Sequence, residues 1–316
     1  MIKVLLLNNS LKPCGIQQWG ERLSRILNKS TRYNFIYKEV ASIGETISVI
    51  IENNPTIILY NYNPNTMPII KKNILDMFPH IKHVALIHEG YLHTDNFVGF
   101  EYFIYFLGKF DGLCAEILNR VFIFPIRFLS EYVGNYPTNT IPTIGSFGFG
   151  FPNKRFEYIV EQVNKEFDFA NIRFSISNSY HSDRDGMLAT EVIEKCKNKI
   201  TKPGIKLYIN REFLTDNQVL EFLASNDINC FFYETRNTYL VSSSTDFALS
   251  VKRPIAITKV SMFYNLYTIV PNICIEDSSI KDILARGTTP LEPLYKLFSD
   301  QNFLFEFEKI IGVING

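Results

Sequence analysis

The sequence predicts an α/β fold of two tandem domains, each built on a parallel sheet. Three observations carry this. Short apolar runs alternate with helical patterns from end to end of the chain, and such alternation implies parallel strands covered on both faces by crossover helices. The pattern is broken once, by Pro125, Pro137 and Pro142 with Gly134, Asn135, Thr138 and Asn139 between them, which marks a linker. At 316 residues the chain exceeds what one core ordinarily serves, and each half is long enough for its own.

In chain order, residues 2–8 (IKVLLLN) read as a buried strand, and Ile16, Trp19, Leu23, Ile26 and Leu27 follow at helical spacing. Further strands are expected at Tyr33–Val40, Thr56–Tyr62, His83–His88 and Val121–Phe124, with crossover segments such as a helix over Thr66–Phe78. Beyond the linker the alternation restarts with a strand at Thr143–Phe147, a helical face of Phe156, Ile159, Val160, Val163 and Phe167, and a strand at Ile172–Ser177. Next come a helix at Gly186–Ile200, a strand at Lys206–Asn210 and a helix at Asp216–Ser225, where Thr215 and Gln218 have the spacing of a capping box. A strand at Asn229–Tyr233, a helix from about Ser243 and a strand at Pro254–Thr258 complete the second domain. The tail from Ser278 reads as helical, with Phe303, Phe307, Ile310 and Ile311 as its apolar stripe. The expected division is therefore 1–137, 138–298 and a C-terminal helix over 299–316 that packs back on the first domain.

Composition narrows the function. Lys plus Arg and Asp plus Glu each total 32, so the net charge is zero and no global footprint for nucleic acid exists. An anion site has to be local. The five cysteines, Cys14, Cys114, Cys196, Cys230 and Cys274, are scattered and form no CxxC pair, which argues against disulfides or a zinc knuckle and for reduced, cytoplasmic thiols. The opening MIKVLLLNNS is too short for a signal peptide core or a membrane span, as is the aromatic stretch Phe97–Phe110. That stretch either fills the first core or makes a peripheral membrane contact.

Ligands of open α/β sheets sit at the carboxyl ends of strands, so the loops there hold the candidates. YLVSSSTDFALSVKRPIAIT, from Tyr239 to Thr258, puts Ser242, Ser243, Ser244 and Thr245 at a helix start. Hydroxyl residues there serve either as ordinary caps or, with the free N–H groups, as a seat for phosphate. Asn8–Gly15 (NNSLKPCG) ends at Gly15 just before a helix, yet it is neither a GxGxxG nor a Walker loop, which disfavours dinucleotide binding. His88, followed by Glu89 and Gly90, ends the run HVALIH and is either a satisfied structural histidine or a proton-exchanging group. His80, His83 and His93 fit no standard zinc spacing. Gly145–Arg155 (GSFGFGFPNKR) runs through glycines to Lys154 and Arg155 at a helix start, where cations oppose the helix dipole unless an anion binds. Arg211-Glu212 and Glu234-Thr235-Arg236 follow two strands taken as adjacent and offer groups for ribose and phosphate. Asp183-Arg184-Asp185 has a DxD form but reads better as a helix start capped by Ser182.

In order along the chain, KPCGIQQWGERL, ALIHE, IGSFGFGFPNKRFEYIVEQV, FLTDNQVLEFLASNDINCFFYE and SSSTDFALSVKRPIAIT resemble segments of the glycosyltransferases of GT-B fold, in particular family 4. The resemblance covers most of the chain. It implies two Rossmann-like domains facing across a cleft, a nucleotide-diphosphate sugar donor held mainly by the second, and a saccharide, lipid-linked or protein acceptor held mainly by the first. It further implies that Lys154 contacts the diphosphate, that Ser243 and Ser244 cradle it, that His88 lies near the transferred sugar, and that transfer proceeds with retention and no bound metal. One departure stands out. Counting back from Pro254 places Tyr239 and Phe247 where many family 4 members carry two glutamates, so the acidic donor contact is missing or comes from Glu234 or Asp246. A catalytically degenerate binding or scaffolding protein of the same fold is the competing expectation.

Overall fold

The structure is a computed structural model that describes residues 1–12, 14–88, 99–106, 120–179, 182–234 and 241–316. The chain forms two compact units. Met1–Phe128 and Phe298–Gly316 make up the first, and the second takes most of the chain between Leu129 and Leu297. Residues 129–137, assigned to the first domain on sequence, thus belong with the second. Ser130 N–H donates to Ser250 Oγ, and Arg253 both lies over the Tyr136 ring and donates to the Pro137 carbonyl.

Among the described residues the first unit carries a six-stranded sheet of β1 (Ile2–Asn9), β2 (Tyr33–Val40), β3 (Ile57–Tyr62), β4 (Lys82–Ile87), β5 (Tyr102–Tyr105) and β6 (Val121–Ile123). The order is β2-β1-β3-β4-β5-β6, with every neighbouring pair parallel. Val4 to Asn9 of β1 and all six residues of β3 are buried in succession, as expected for strands covered on both faces. Helices α1 (Gly15–Leu27) and α2 (Ile43–Asn53) follow β1 and β2. Ser42 caps α2 by accepting from Glu45 N–H, and Asn54 closes it in a left-handed conformation. The C-terminal helix Asp300–Asn315 belongs to this unit: Phe303 and Phe307 are fully buried against Phe124, with centroids 4.9 and 5.6 Å away. Truncating either ring to alanine costs about 3–5 kcal/mol.

Two expectations change here. The helix over 66–78 shrinks to α3 (Lys72–Asp76), because Pro68 supplies no N–H and drives Met67 out of helical geometry. Tyr102–Tyr105, read on sequence only as part of an aromatic stretch, pairs with β4 as a strand. Its three aromatic residues and the β-branched Ile104 suit a pleated, buried surface.

The second unit carries a five-stranded parallel sheet of β7 (Thr143–Phe149), β8 (Ala170–Ser177), β9 (Ile205–Asn210), β10 (Ile228–Phe231) and β11 (Ile255–Ile257), in the order β11-β10-β7-β8-β9. The connecting helices are α4 (Phe156–Glu166), α5 (Met187–Asn198), α6 (Asp216–Ala224) and α7 (Ser243–Ser250). Thr215 and Gln218 form the capping box of α6. The core joins Phe156, Ile159, Val160 and Val163 of α4 to Ile172, Phe174 and Ile176 of β8. No helix among the described residues is long and apolar enough to cross a membrane.

Each sheet reverses its winding once, between β1 and β3 in the first unit and between β7 and β10 in the second. At such a reversal the flanking loops diverge to opposite faces and leave a crevice at the strand ends.

Candidate functional site

At the reversal of the second sheet, two strand ends supply a joined polar cluster. β7 contains Gly148, whose φ of 147° suits only glycine, and beyond the strand the chain turns through Pro152–Lys154. The Lys154 ammonium donates to Tyr233 Oη at 2.8 Å. Tyr233 lies two residues beyond β10 and is 2% exposed. Its hydroxyl donates to Ser244 Oγ at 3.1 Å and accepts from Ser242 Oγ at 3.4 Å. Ser242 is the N-cap of α7, and Ser243 beside it is exposed. One ammonium, one phenol, two hydroxyls and a helix N-terminus therefore converge. Burial opposes ionisation of Tyr233, but the charge and hydrogen bond of Lys154, with the bonds from Ser242 and Ser244, bring its pKa below the ordinary value. The field is positive. The cluster suits an anion that takes up the α7 N–H groups and the lysine together.

The remaining sequence candidates of this unit have other partners. Glu234 is exposed and its N–H donates to the Asn153 carbonyl at 2.8 Å, which ties the β10 end to the lysine turn. Arg211 follows β9, and β7 and β8 separate that strand from β10, so Arg211 and Glu234 do not sit on adjacent strand ends as the sequence suggested. Its guanidinium donates to Asn178 Oδ1 and to the Gly186 carbonyl, both at 3.4 Å. Arg155 adopts a left-handed backbone and stacks over Tyr158 at 4.2 Å. The DxD segment is capped differently than expected. Asp183, not Ser182, accepts from the Leu188 and Ala189 N–H groups at 3.0 Å each, so its carboxylate serves the N-terminus of α5. Phe247, at one of the expected glutamate positions, is core, 5.8 Å from Phe147; the other position, Tyr239, lies outside the described residues, as do Thr235 and Arg236.

In the first unit His88 stands just past β4, beside the reversal between β1 and β3. Its Nε2 lies 2.5 Å from Asn61 Oδ1. Trp19 meets the imidazole edge-on at 4.3 Å and Phe106 stacks on it at 5.8 Å. Desolvation, assisted by the nearby Arg127 charge, lowers the His88 pKa to about 3, so the ring is neutral at physiological pH. Gly15 opens α1 with nothing near the position a Cβ would take, and Cys14 before it provides no side-chain cap. Gly20, one turn on, is different. A Cβ there would come within 2.5 Å of Asn61 Nδ2 and 2.6 Å of Asn8 Nδ2, so only glycine lets α1 lie on those amides. Glu89, Gly90 and His93 and the two ends of the stretch 97–110, residues 97–98 and 107–110, lie outside the described residues. His83 is buried, between Tyr60 Oη at 2.9 Å and the Phe78 carbonyl at 3.1 Å. Among the described residues no three His, Cys, Asp or Glu side chains group as metal ligands, and Cys14, Cys196, Cys230 and Cys274 are unpaired and buried.

Sequence reasoning missed Tyr233, Asn61 and Asn8. The signal was present in each case: a polar-tipped residue at the carboxyl end of an otherwise apolar strand, as in NCFFY, IILYNY and KVLLLNN.

No family model and no curated protein sequence matches the chain. Solved structures do. A glycosyltransferase from Rickettsia africae superposes with a TM-score of 0.64 at 11% identity, covering 99% of this chain and 98% of that one. The Anabaena HepE protein in complex with UDP and glucose gives 0.65 at 12% identity over 99% and 100%. An α-glucosyltransferase in complex with UDP gives 0.59 at 11% identity over the whole of both chains. The fold is that of the GT-B glycosyltransferases.

Proposed function

We propose that the chain is a glycosyltransferase that moves a sugar from a nucleotide-diphosphate donor to a saccharide, lipid-linked or protein acceptor. The observation that carries the proposal is the convergence of Lys154, Tyr233, Ser242 and Ser244 on the N-terminus of α7 at the sheet reversal. When the glycosidic bond to the donor breaks, negative charge grows on the departing diphosphate. The ammonium of Lys154 and the N–H groups of α7 are prepositioned for that charge, which is the term that most lowers such a barrier. With fixed cations and a helix end supplying it, the reading calls for no bound metal. UDP is the ligand in the Anabaena and α-glucosyltransferase complexes of the same fold, and a nucleoside diphosphate is the ligand expected here. Gly15, Arg211 and Glu234 are the further donor-side candidates, and His88 is the group assigned to the transferred sugar. Retention of configuration and a family 4-like active site complete the proposal, with the cytoplasm as the compartment.

A second reading, a non-catalytic binding protein of this fold, is favoured by one observation: Phe247 fills the core where an acidic donor contact was expected. Two measurements separate them. The protein is heated with a panel of nucleosides, nucleoside diphosphates and nucleotide sugars, and the melting temperature is followed. A ligand at about 100 times its dissociation constant adds roughly 2.7 kcal/mol, an easily visible shift. If no nucleoside diphosphate or nucleotide sugar moves the transition, the transferase proposal fails. Sugar-nucleotide hydrolysis or transfer that disappears in His88→Ala rules out the binding protein.

A further inference from the structure

Four neighbouring strand ends of the first sheet each contribute one polar side chain to a continuous row. Glu39 comes from β2, Asn8 from β1, Asn61 from β3, and His88 follows β4. Asn8 is paired in register with Glu39, and Asn61 with Leu86 one strand further on. The amides are completely buried.

The direction of each hydrogen bond in the row follows from the backbone. Asn61 approaches the Ile16 carbonyl at 2.7 Å, and a carbonyl only accepts, so the atom facing it is Nδ2. Asn61 Oδ1 therefore faces His88, and the imidazole Nε2 has to carry the hydrogen. The same Nδ2 donates to Asn8 Oδ1 at 2.8 Å. Asn8 Nδ2 in turn faces the Gln17 carbonyl at 2.8 Å and donates to Tyr37 Oη at 2.9 Å. Tyr37, whose pKa is raised chiefly by burial, keeps its proton and donates it to Glu39 Oε1 at 2.8 Å, the oxygen that Gln17 Nε2 also reaches at 2.6 Å. All bonds in the row point the same way, from the imidazole to a carboxylate. Aligned bonds of this kind polarise one another. Gly20 preserves the row, since any side chain there would strike both amides.

We infer that Asn61, supported by Asn8, is a positioning residue for His88: the amide row holds the imidazole as the Nε2–H tautomer and leaves the Nδ1 lone pair to accept from a hydroxyl of the bound sugar. Nδ1 has no hydrogen-bond partner among the described residues, and Trp19 and Phe106 hold the ring plane. The tautomer follows from the geometry alone. Its use on a sugar hydroxyl rests on the transferase proposal.

The test is long-range proton–nitrogen NMR on the full chain labelled with ¹⁵N-histidine, the His88 signals being assigned by their loss in His88→Gln. The wild type is expected to show His88 protonated at Nε2 and bare at Nδ1, and Asn61→Leu, with its fold checked by melting, to lose that single-tautomer pattern. A wild-type His88 protonated at Nδ1, or a wild-type pattern surviving in folded Asn61→Leu, overturns the inference. Should Asn61→Leu not fold, the wild-type spectrum alone decides. With a donor that the enzyme turns over, Asn61→Leu should lower kcat by about 10²-fold while the donor KM stays within a factor of about two, the signature of a mispositioned group and not of a lost binding contact. An unchanged kcat overturns the positioning role. If the wild type turns over no donor, the transferase proposal fails while the tautomer assignment still stands or falls on the spectrum.

Discussion

Lys154 Nζ lies 2.8 Å from Tyr233 Oη and 4.6 Å from the centre of the same ring. The two residues come from the ends of β7 and β10, far apart in sequence and adjacent only because the sheet reverses between those strands. Tyr233 is thereby a bridge, taking a hydrogen bond from the ammonium and passing one to Ser244 at the start of α7. Lys154→Ala should weaken binding of a nucleoside diphosphate about ten- to a hundredfold, the loss of one charge-assisted contact. Tyr233→Phe should cost less, because the ammonium stays and loses only its tether. Calorimetric titration of both variants checks the order, and equal losses would show that the phenol itself holds the ligand.

Three glycines separate the structural from the binding role. Gly20→Ala places a methyl group within 2.6 Å of two buried amides and should destabilise the first unit by about 1–3 kcal/mol. Gly148→Ala combines a strained φ with displacement of the Lys154 ammonium, and should lower both stability and nucleotide affinity. Gly15→Ala meets nothing and should leave stability within about 0.5 kcal/mol of wild type. Urea unfolding of the three, with nucleotide titrations alongside, tests the set. A Gly20→Ala protein as stable as wild type would mean that α1 does not rest on the amides as described.

How much of this was legible in the sequence depends on range. The strands β2 and β9 and the capping box at Thr215 were readable because they rest on local periodicity and spacing. Lys154 and Ser242 to Ser244 were readable as candidates for the same reason, each sitting beside a helix start. Tyr233 was not, because its meaning comes from Lys154 and Ser244, which tertiary packing alone brings to it. Arg211 and Glu234 were grouped wrongly since strand order is not written in strand sequence: β9 and β10 are consecutive in the chain yet separated by β7 and β8. Asp183 displaced Ser182 as the cap because Gly186, in a left-handed turn, delays the helix by several residues and brings a longer side chain back to its N–H groups.

The neutral His88 makes stability depend on pH. Its pKa is about 3 when folded and about 6.5 in an unfolded chain, so between those values the unfolded state binds more protons. The contribution is fully present above about pH 6.5 and is lost as the pH falls towards 3. His83, lowered mainly by burial, acts in the same direction. Wild type should therefore lose stability on acidification with a slope of up to about 1.4 kcal/mol per pH unit from His88 alone. His88→Gln should flatten the curve by that amount. Denaturant unfolding at a series of pH values from 7 to about 3.5 measures it, and identical slopes in the two proteins would place the imidazole in water.

Asp183 decides between a metal-bridging acid and a helix cap. Both carboxylate oxygens are committed, one to the Leu188 N–H and the other to the Ala189 N–H, and the side chain is 5% exposed. An oxygen pair used in this way has little left for a cation and its bound diphosphate. The Asp183→Asn variant retains one acceptor and loses the charge at the α5 N-terminus, so it should lower stability by about 0.5–2 kcal/mol. Nucleotide affinity should stay near the wild-type value, with and without chelator, because the proposed donor site draws its positive charge from Lys154 and the α7 N-terminus. A collapse of nucleotide binding in Asp183→Asn at unchanged stability would reverse the assignment, since a cap leaves its mark on folding and a metal ligand leaves it on the substrate.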